Sequence, residues 1–163
     1  RQFKMNKELA YKQFLNASEM DFEGKQPADV ELAYEKAVAN DPSNAKYQGS
    51  YICFLVTRGR MHDAGAQWLK AIKVVDHDFY DTYTVLHRKL VRLLLHRAEL
   101  DMARQVLNDV PESNQGEWFH NVAKHCNALK KYVDFGISVR DFVELDNIVP
   151  SPDRYLRNSQ GLW

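Results

Sequence analysis

Cysteine is scarce in this 163-residue chain, with only Cys53 and Cys126. Each falls on an apolar stripe of a different predicted helix pair, where a free thiol behaves as a small buried hydrophobe. Two helix pairs of separation argue against a disulfide between them on distance grounds. The scarcity leaves the compartment open between cytoplasm and periplasm, with a slight lean toward a reducing one. An excess of one charge is also missing: 22 basic residues face 22 acidic ones. No global field therefore favours nucleic acid or an anionic membrane surface. Long hydrophobic runs are lacking too: Leu93-Leu94-Leu95, and even the six residues from Tyr51 to Val56, are far too short to cross a bilayer. No basic n-region precedes an apolar h-region, so no secretory signal is read. The opening Arg1 suits an excised or processed piece, which limits what that absence says of a full-length protein.

Chemistry-bearing motifs are equally thin. There is no His-Glu-x-x-His, no Cys-x-x-Cys, no phosphate-cradling glycine loop and no nucleophile elbow. His120, His125 and Cys126 form one close cluster of ligand-type residues, but an i, i+5 spacing sets the two histidines well apart around a helix. That cluster reads as a core cysteine beside exposed histidines. Neither a metal nor any other cofactor is expected, and the chain is read as non-catalytic. Asn16-Ala17-Ser18 has the form of a glycosylation sequon within a predicted helix and carries little weight.

The chain does contain repetition. Tyr34-Glu35-Lys36-Ala37-Val38 and Trp68-Leu69-Lys70-Ala71-Ile72 agree in residue class everywhere except Glu35/Leu69, at a separation of 34 residues. The clearest unit runs from Ala45 to Asp78. Tyr51, Ile52 and Leu55 mark its first helix, Gly59 its turn, and Ala64, Trp68 and Ala71 its second helix. Spacings of three and four put these residues on one stripe of each helix. Small alanines let helix backbones approach, and the aromatic fills the volume between neighbouring pairs. Gly59 stands where a left-handed residue would stop the first helix, and Asp41-Pro42 closes the preceding second helix, which Pro42 cannot continue.

A helix–turn–helix unit of this length resembles the tetratricopeptide repeat. Departures from that pattern are Gln48 in the bulky first place, Ile52 where a small residue is usual, and Asp76 where the preceding unit has Pro42. One period upstream, Tyr11 to Asn44 forms a less regular unit, with Phe14, Ala17 and Ser18 on its first helix, Gly24-Lys25-Gln26-Pro27 at its turn and Ala28 to Asn40 as its second helix. Val30 and Asp21 depart from type there. Downstream, Leu90, Val91, Leu94, Ala98, Leu100 and Ala103 fit only if about five residues are inserted after Asp78, which predicts a longer helix from about Phe79 to Arg97. Its partner, Asp101 to Asp109, ends at Val110-Pro111. A fourth pair is expected over Gln115 to Leu129 and Tyr132 to Ile148, carrying Phe135, Val139, Phe142 and Val143 on the second helix. Pro150-Ser151-Pro152 then breaks helix. The resemblance implies an all-α fold, a right-handed α-α superhelix of about four helix pairs. Residues 1–149 are read as the repeat domain and 150–163 as a tail or connector.

What the resemblance implies for function is a scaffold that holds a partner protein or peptide in the concave groove lined by first helices. The groove positions it implies are Leu15, Asn16 and Glu19; then Lys46, Gly49, Ser50 and Cys53; then Tyr80, Tyr83, Thr84 and His87. Tyr80 and Tyr83 are attractive anchors, because aromatic side chains give large contact area with a hydrogen-bonding tip. They are equally readable as packing residues. The carboxylate clamp of tetratricopeptide co-chaperones is disfavoured, since Leu15 supplies no charged donor and Glu19 would repel a carboxylate. His87, Arg88, Lys89, Arg92, His96 and Arg97 make one locally basic stretch. It reads as an amphipathic helix with a basic outside ahead of a dedicated anion or acidic-peptide site. The alternative function is an accessory spacer or oligomerisation domain of a larger enzyme or envelope-assembly or secretion machine, with terminal repeats as oligomer edges.

Overall fold

The computed structural model describes residues 6–77 and 82–134. The described residues form an all-helical fold: α1 (Lys7–Phe22), α2 (Pro27–Asn40), α3 (Ala45–Thr57), α4 (Met61–Val74), a π-helical stretch (Thr82–Lys89) running into α5 (Leu90–His96), α6 (Leu100–Asn108), a short 3₁₀ turn (Glu112–Asn114) and α7 (Glu117–Asp134). Local signals set the boundaries. Asn6 caps α1 by accepting from the Leu9 amide at 3.0 Å, and Asn44 caps α3 by accepting from Lys46 and Tyr47. Pro27 opens α2, where its missing amide costs no helix bond.

Three first helices end in the same way. Gly24, Gly59 and Ala98 all adopt positive φ, at 71°, 75° and 59°. In each turn the next amide reaches back five places, Lys25 to Met20, Arg60 to Leu55 and Glu99 to Leu94, all at 2.9 Å. The left-handed residue itself bonds three places back, to Asp21, Val56 and Leu95. This is the Schellman geometry, which satisfies carbonyls left open at a helix end.

Superposing the chain on those turns brings side chains into columns. Before the turn Ala17, Ile52 and Val91 are equivalent and buried; after it, allowing one extra residue in the first unit, so are Val30, Ala64 and Ala103, then Tyr34, Trp68 and Leu107, then Ala37, Ala71 and Val110. The expected packing roles of Tyr34, Trp68, Ala64 and Ala71 therefore hold. Trp68 has no exposed surface, and Tyr34 lies between the rings of Phe14, Tyr51 and Phe54 at centroid distances of 5.6–6.4 Å. α3 packs against α2, α4, the π-helical stretch and α5, so nearly its whole circumference is apolar and buried.

The departures from pattern have structural answers. Gln48 is buried but satisfied: its amide donates to the Pro42 carbonyl at 2.9 Å and its oxygen accepts from Gln67 at 2.8 Å. The expected insertion lies between the ends of α4 and α5 and includes the π-helical stretch. Arginines at the first-helix ends tie successive pairs together. Arg58 meets the Asp21 carboxylate at 2.8 Å, and Arg97 donates to the Thr57 carbonyl at 3.1 Å. A cation at that place also faces the negative end of the helix dipole. One boundary differs from expectation: α7 continues past Leu129 to Asp134. Lys130 and Lys131 are good helix formers, and no Gly or Pro interrupts residues 117–134. Phe135, Val139, Phe142, Val143 and the tail over 150–163 lie outside the described residues.

Candidate partner-binding face

Leu15, Asn16 and Glu19 occupy the open side of α1, opposite the buried stripe of Ala10, Phe14 and Ala17. Leu15 is 46% exposed and Tyr11, one turn earlier, 54% exposed. These two large apolar side chains lie one turn apart on the open face of α1. Lys46 on α3 is half-buried, its ammonium 5.6 Å from the centre of the Phe14 ring. That contact bridges α1 and α3.

The strip expected from the resemblance is interrupted at α3. Gly49, Ser50 and Cys53 are buried, so they offer no surface to a partner. Burial pushes the Cys53 thiol well up, and the nearby Lys89 ammonium opposes that shift. His87 is also displaced from its expected place. Its side chain is fully buried, its Nε2 lies 3.0 Å from an Asp109 carboxylate oxygen, and its ring meets Trp68 edge-on at 5.3 Å. It joins α4, the π-helical stretch and the end of α6, and so belongs to the core. Tyr80 lies outside the described residues, as do the side chains of Tyr83 and Thr84.

The turn columns explain the displacement. Positions 49, 50 and 53 of α3 align with 14, 15 and 18 in the first pair and with 88, 89 and 92 in the third, because Ala98 follows Gly59 by 39 residues. A constant step of 34 from 49, 50 and 53 gives 83, 84 and 87 instead. Arg88, Lys89 and Arg92 are half-buried, while Leu86, His87, Leu90, Val91, Leu93, Leu94 and Leu95 are buried. The residues that a constant 34-residue step omits from this face are thus Arg88, Lys89 and Arg92. The five-residue slip needed to align Leu90 and Ala98 was the signal that could have found them. His87 takes the place equivalent to Gln48, and both are buried polar groups bonded across their own helix pair.

The other side of the molecule carries mixed charge. Arg60 links Glu31 on α2 with Asp63 on α4, and the Arg60 hydrogen bond holds the Glu31 carboxyl below its ordinary range. Among the described residues no three His, Cys, Asp or Glu side chains converge as a metal site would require, and no helix is long and apolar enough to cross a membrane. No family model matches the chain, and neither curated proteins nor solved structures give a match.

Proposed function

We propose that the chain is a non-catalytic interaction scaffold, a tetratricopeptide-like solenoid that holds a partner polypeptide along the face formed by its first helices. The observation that carries this reading is the recurrence of one unit. Three first helices end in the same left-handed turn, and buried columns recur on both sides of it, in step before the turn and within one residue after it. A stack of such units leaves its first helices side by side, which gives an extended surface without requiring any catalytic group. Tyr11 and Leu15 then serve as apolar anchors on α1, and Lys46, Arg88 and Arg92 supply the charge further along.

The reading is tested by selecting peptide ligands against the chain from a displayed library. Competition with Leu15→Glu should reduce capture of the selected peptides at least tenfold, since it places a charge where an apolar contact forms. Lys36→Glu with Lys73→Glu, on exposed positions of α2 and α4, should leave capture nearly unchanged apart from salt-screened steering. Ligands that respond to the lysine pair and ignore Leu15 would refute the first-helix face. A spacer or oligomerisation role is favoured by one different observation: Phe22, at the end of α1, is 84% exposed. Concentration-dependent self-association abolished by Phe22→Ser would favour that role over partner capture.

A further inference from the structure

Two stripes run along α1. Ala10, Phe14 and Ala17 are buried and pack the helix on the fold. Tyr11, Leu15, Ser18 and Phe22 make the second stripe, at successive steps of four, three and four residues. At 3.6 residues per turn these four places fall within an arc of about 60°, turned roughly 100° from the buried stripe. A helix laid along the second stripe therefore leaves the first one engaged. The spacing is that of a coiled-coil seam, whose apolar residues recur every 3.5 residues on average. Phe22 is 84% exposed, more open than any other large apolar residue among the described ones, and Tyr11 and Leu15 are about half exposed. At about 150–250 Å² for a whole aromatic side chain, Tyr11 and Phe22 alone leave roughly 280 Å² open.

We infer that this seam docks on the same seam of a second copy of the chain, antiparallel and across a two-fold axis. The occupant is read from the order of residues along the seam, which complements itself when reversed. Tyr11 then meets Phe22 of the other copy at each end, and in the middle Leu15 meets Ser18, large against small. Charge points the same way. Lys12 and Glu19 are exposed on the outer flank of the seam, and antiparallel pairing brings Lys12 of each copy beside Glu19 of the other. A parallel pair would instead set Lys7 against Lys12. Lys12 can make the exchange, since its contact with Glu8, at 3.5 Å between side chains 70% and 83% exposed, is worth little. Two seams with their flanks bury on the order of 1,000 Å², the low end for a specific interface, so the pair is a reversible one. The inference goes beyond the scaffold reading and does not rest on it. Because both use Tyr11 and Leu15, a captured segment and a second copy compete for one face.

The test is sedimentation equilibrium of the whole chain, from low micromolar to several hundred micromolar, which should show monomer and dimer in exchange. Phe22→Ser should weaken the dimer at least about tenfold with an unchanged far-UV spectrum, because the pair loses two rings from exposed places. Lys12→Glu and Glu19→Lys should each weaken it about fivefold at low salt and less at high salt, since each sets like charges together twice per pair. The double variant should pair like the parent, and so should an equimolar mixture of the two single variants. A parent chain that stays monomeric overturns the inference; if selected peptides are still lost by Leu15→Glu, the face belongs to another protein and the scaffold stands. A dimer indifferent to Phe22→Ser places the contact elsewhere, and one strengthened by Lys12→Glu is parallel; either result overturns the inference. A dimer that behaves as expected, with no selected peptide sensitive to Leu15→Glu, supports the pairing and refutes the scaffold. Selected peptides that dissociate that dimer support both.

Discussion

Ala98→Gly should stabilise the protein. Ala98 holds the left-handed place filled by glycine in the two preceding turns, with φ of 59° against 71° at Gly24 and 75° at Gly59. An L-residue in that region carries a backbone penalty of about 1–2 kcal/mol from its Cβ. Glycine removes that penalty but raises the entropy of the unfolded chain by an amount worth about 0.5–1 kcal/mol. The balance is a gain of about 0.5–1 kcal/mol, because Ala98 is exposed and gives up no packing. For a chain of this size that corresponds to a rise in melting temperature of roughly 1–4 °C. Gly59→Ala should lose a similar amount. No atom lies within 4 Å of the Cβ it would add, so its cost is conformational and not steric. Urea unfolding of both variants beside the parent, with the slope checked for constancy, reads the two changes directly. A lower midpoint for Ala98→Gly, or no change for Gly59→Ala, would refute the equivalence of the three turns.

Two further outcomes are expected. Ala71→Arg should destabilise by several kcal/mol, because the fully buried Ala71 has neither volume nor water for a guanidinium, while Lys70→Ala on the exposed side should change stability by less than about 0.5 kcal/mol; urea midpoints of the pair check this. Glu31→Gln should cost up to about 1 kcal/mol at pH 7. Arg60 lowers the folded carboxyl below its ordinary value of 4.5, so the stabilisation exists above that value and is lost as pH falls through the lower folded one. The gap between Glu31→Gln and the parent should thus close on acidification, and a gap that widened would contradict the assignment.

The second helices were legible in the sequence because their signal is redundant. Tyr34 and Trp68 need bulk, while Ala37 and Ala71 need smallness, and each pair sits in a stripe whose neighbours repeat the same demand. The turns were legible for a similar reason, since few residues besides glycine accept positive φ. Ala98 escaped the glycine pattern yet kept the backbone, held by the two return bonds to Leu94 and Leu95. The polar tie of His87 to Asp109 could not be read, because it joins residues 22 apart that no local pattern relates. The continuation of α7 past Leu129 went unseen because the expected break relied on repeat length, whereas the local residues permit helix throughout.

The first-helix face failed for a reason that is geometric. A residue's side of a helix is fixed by its phase, and each residue advances that phase by about 100° at 3.6 residues per turn. The five-residue offset from His87 to Arg92, which leaves the π-helical stretch and enters α5, turns the assigned position by roughly 100° or more, which is enough to exchange outside for inside. That is what happened to His87, assigned to an open face and found against Trp68, while Arg88 and Arg92 took the half-open side. On α1 the slip was one residue, or about 100°, and yet Leu15, Asn16 and Glu19 remain exposed. No described helix covers that side of α1, so its open arc is wide enough to absorb the error. α3 has no such arc, since helices surround it, and Gly49, Ser50 and Cys53 would be buried under either alignment. A face transferred from one repeat to the next thus survives a register error only where the helix has an open side. For the enclosed helices the register must be taken from the turns, where backbone conformation fixes it independently of the side chains.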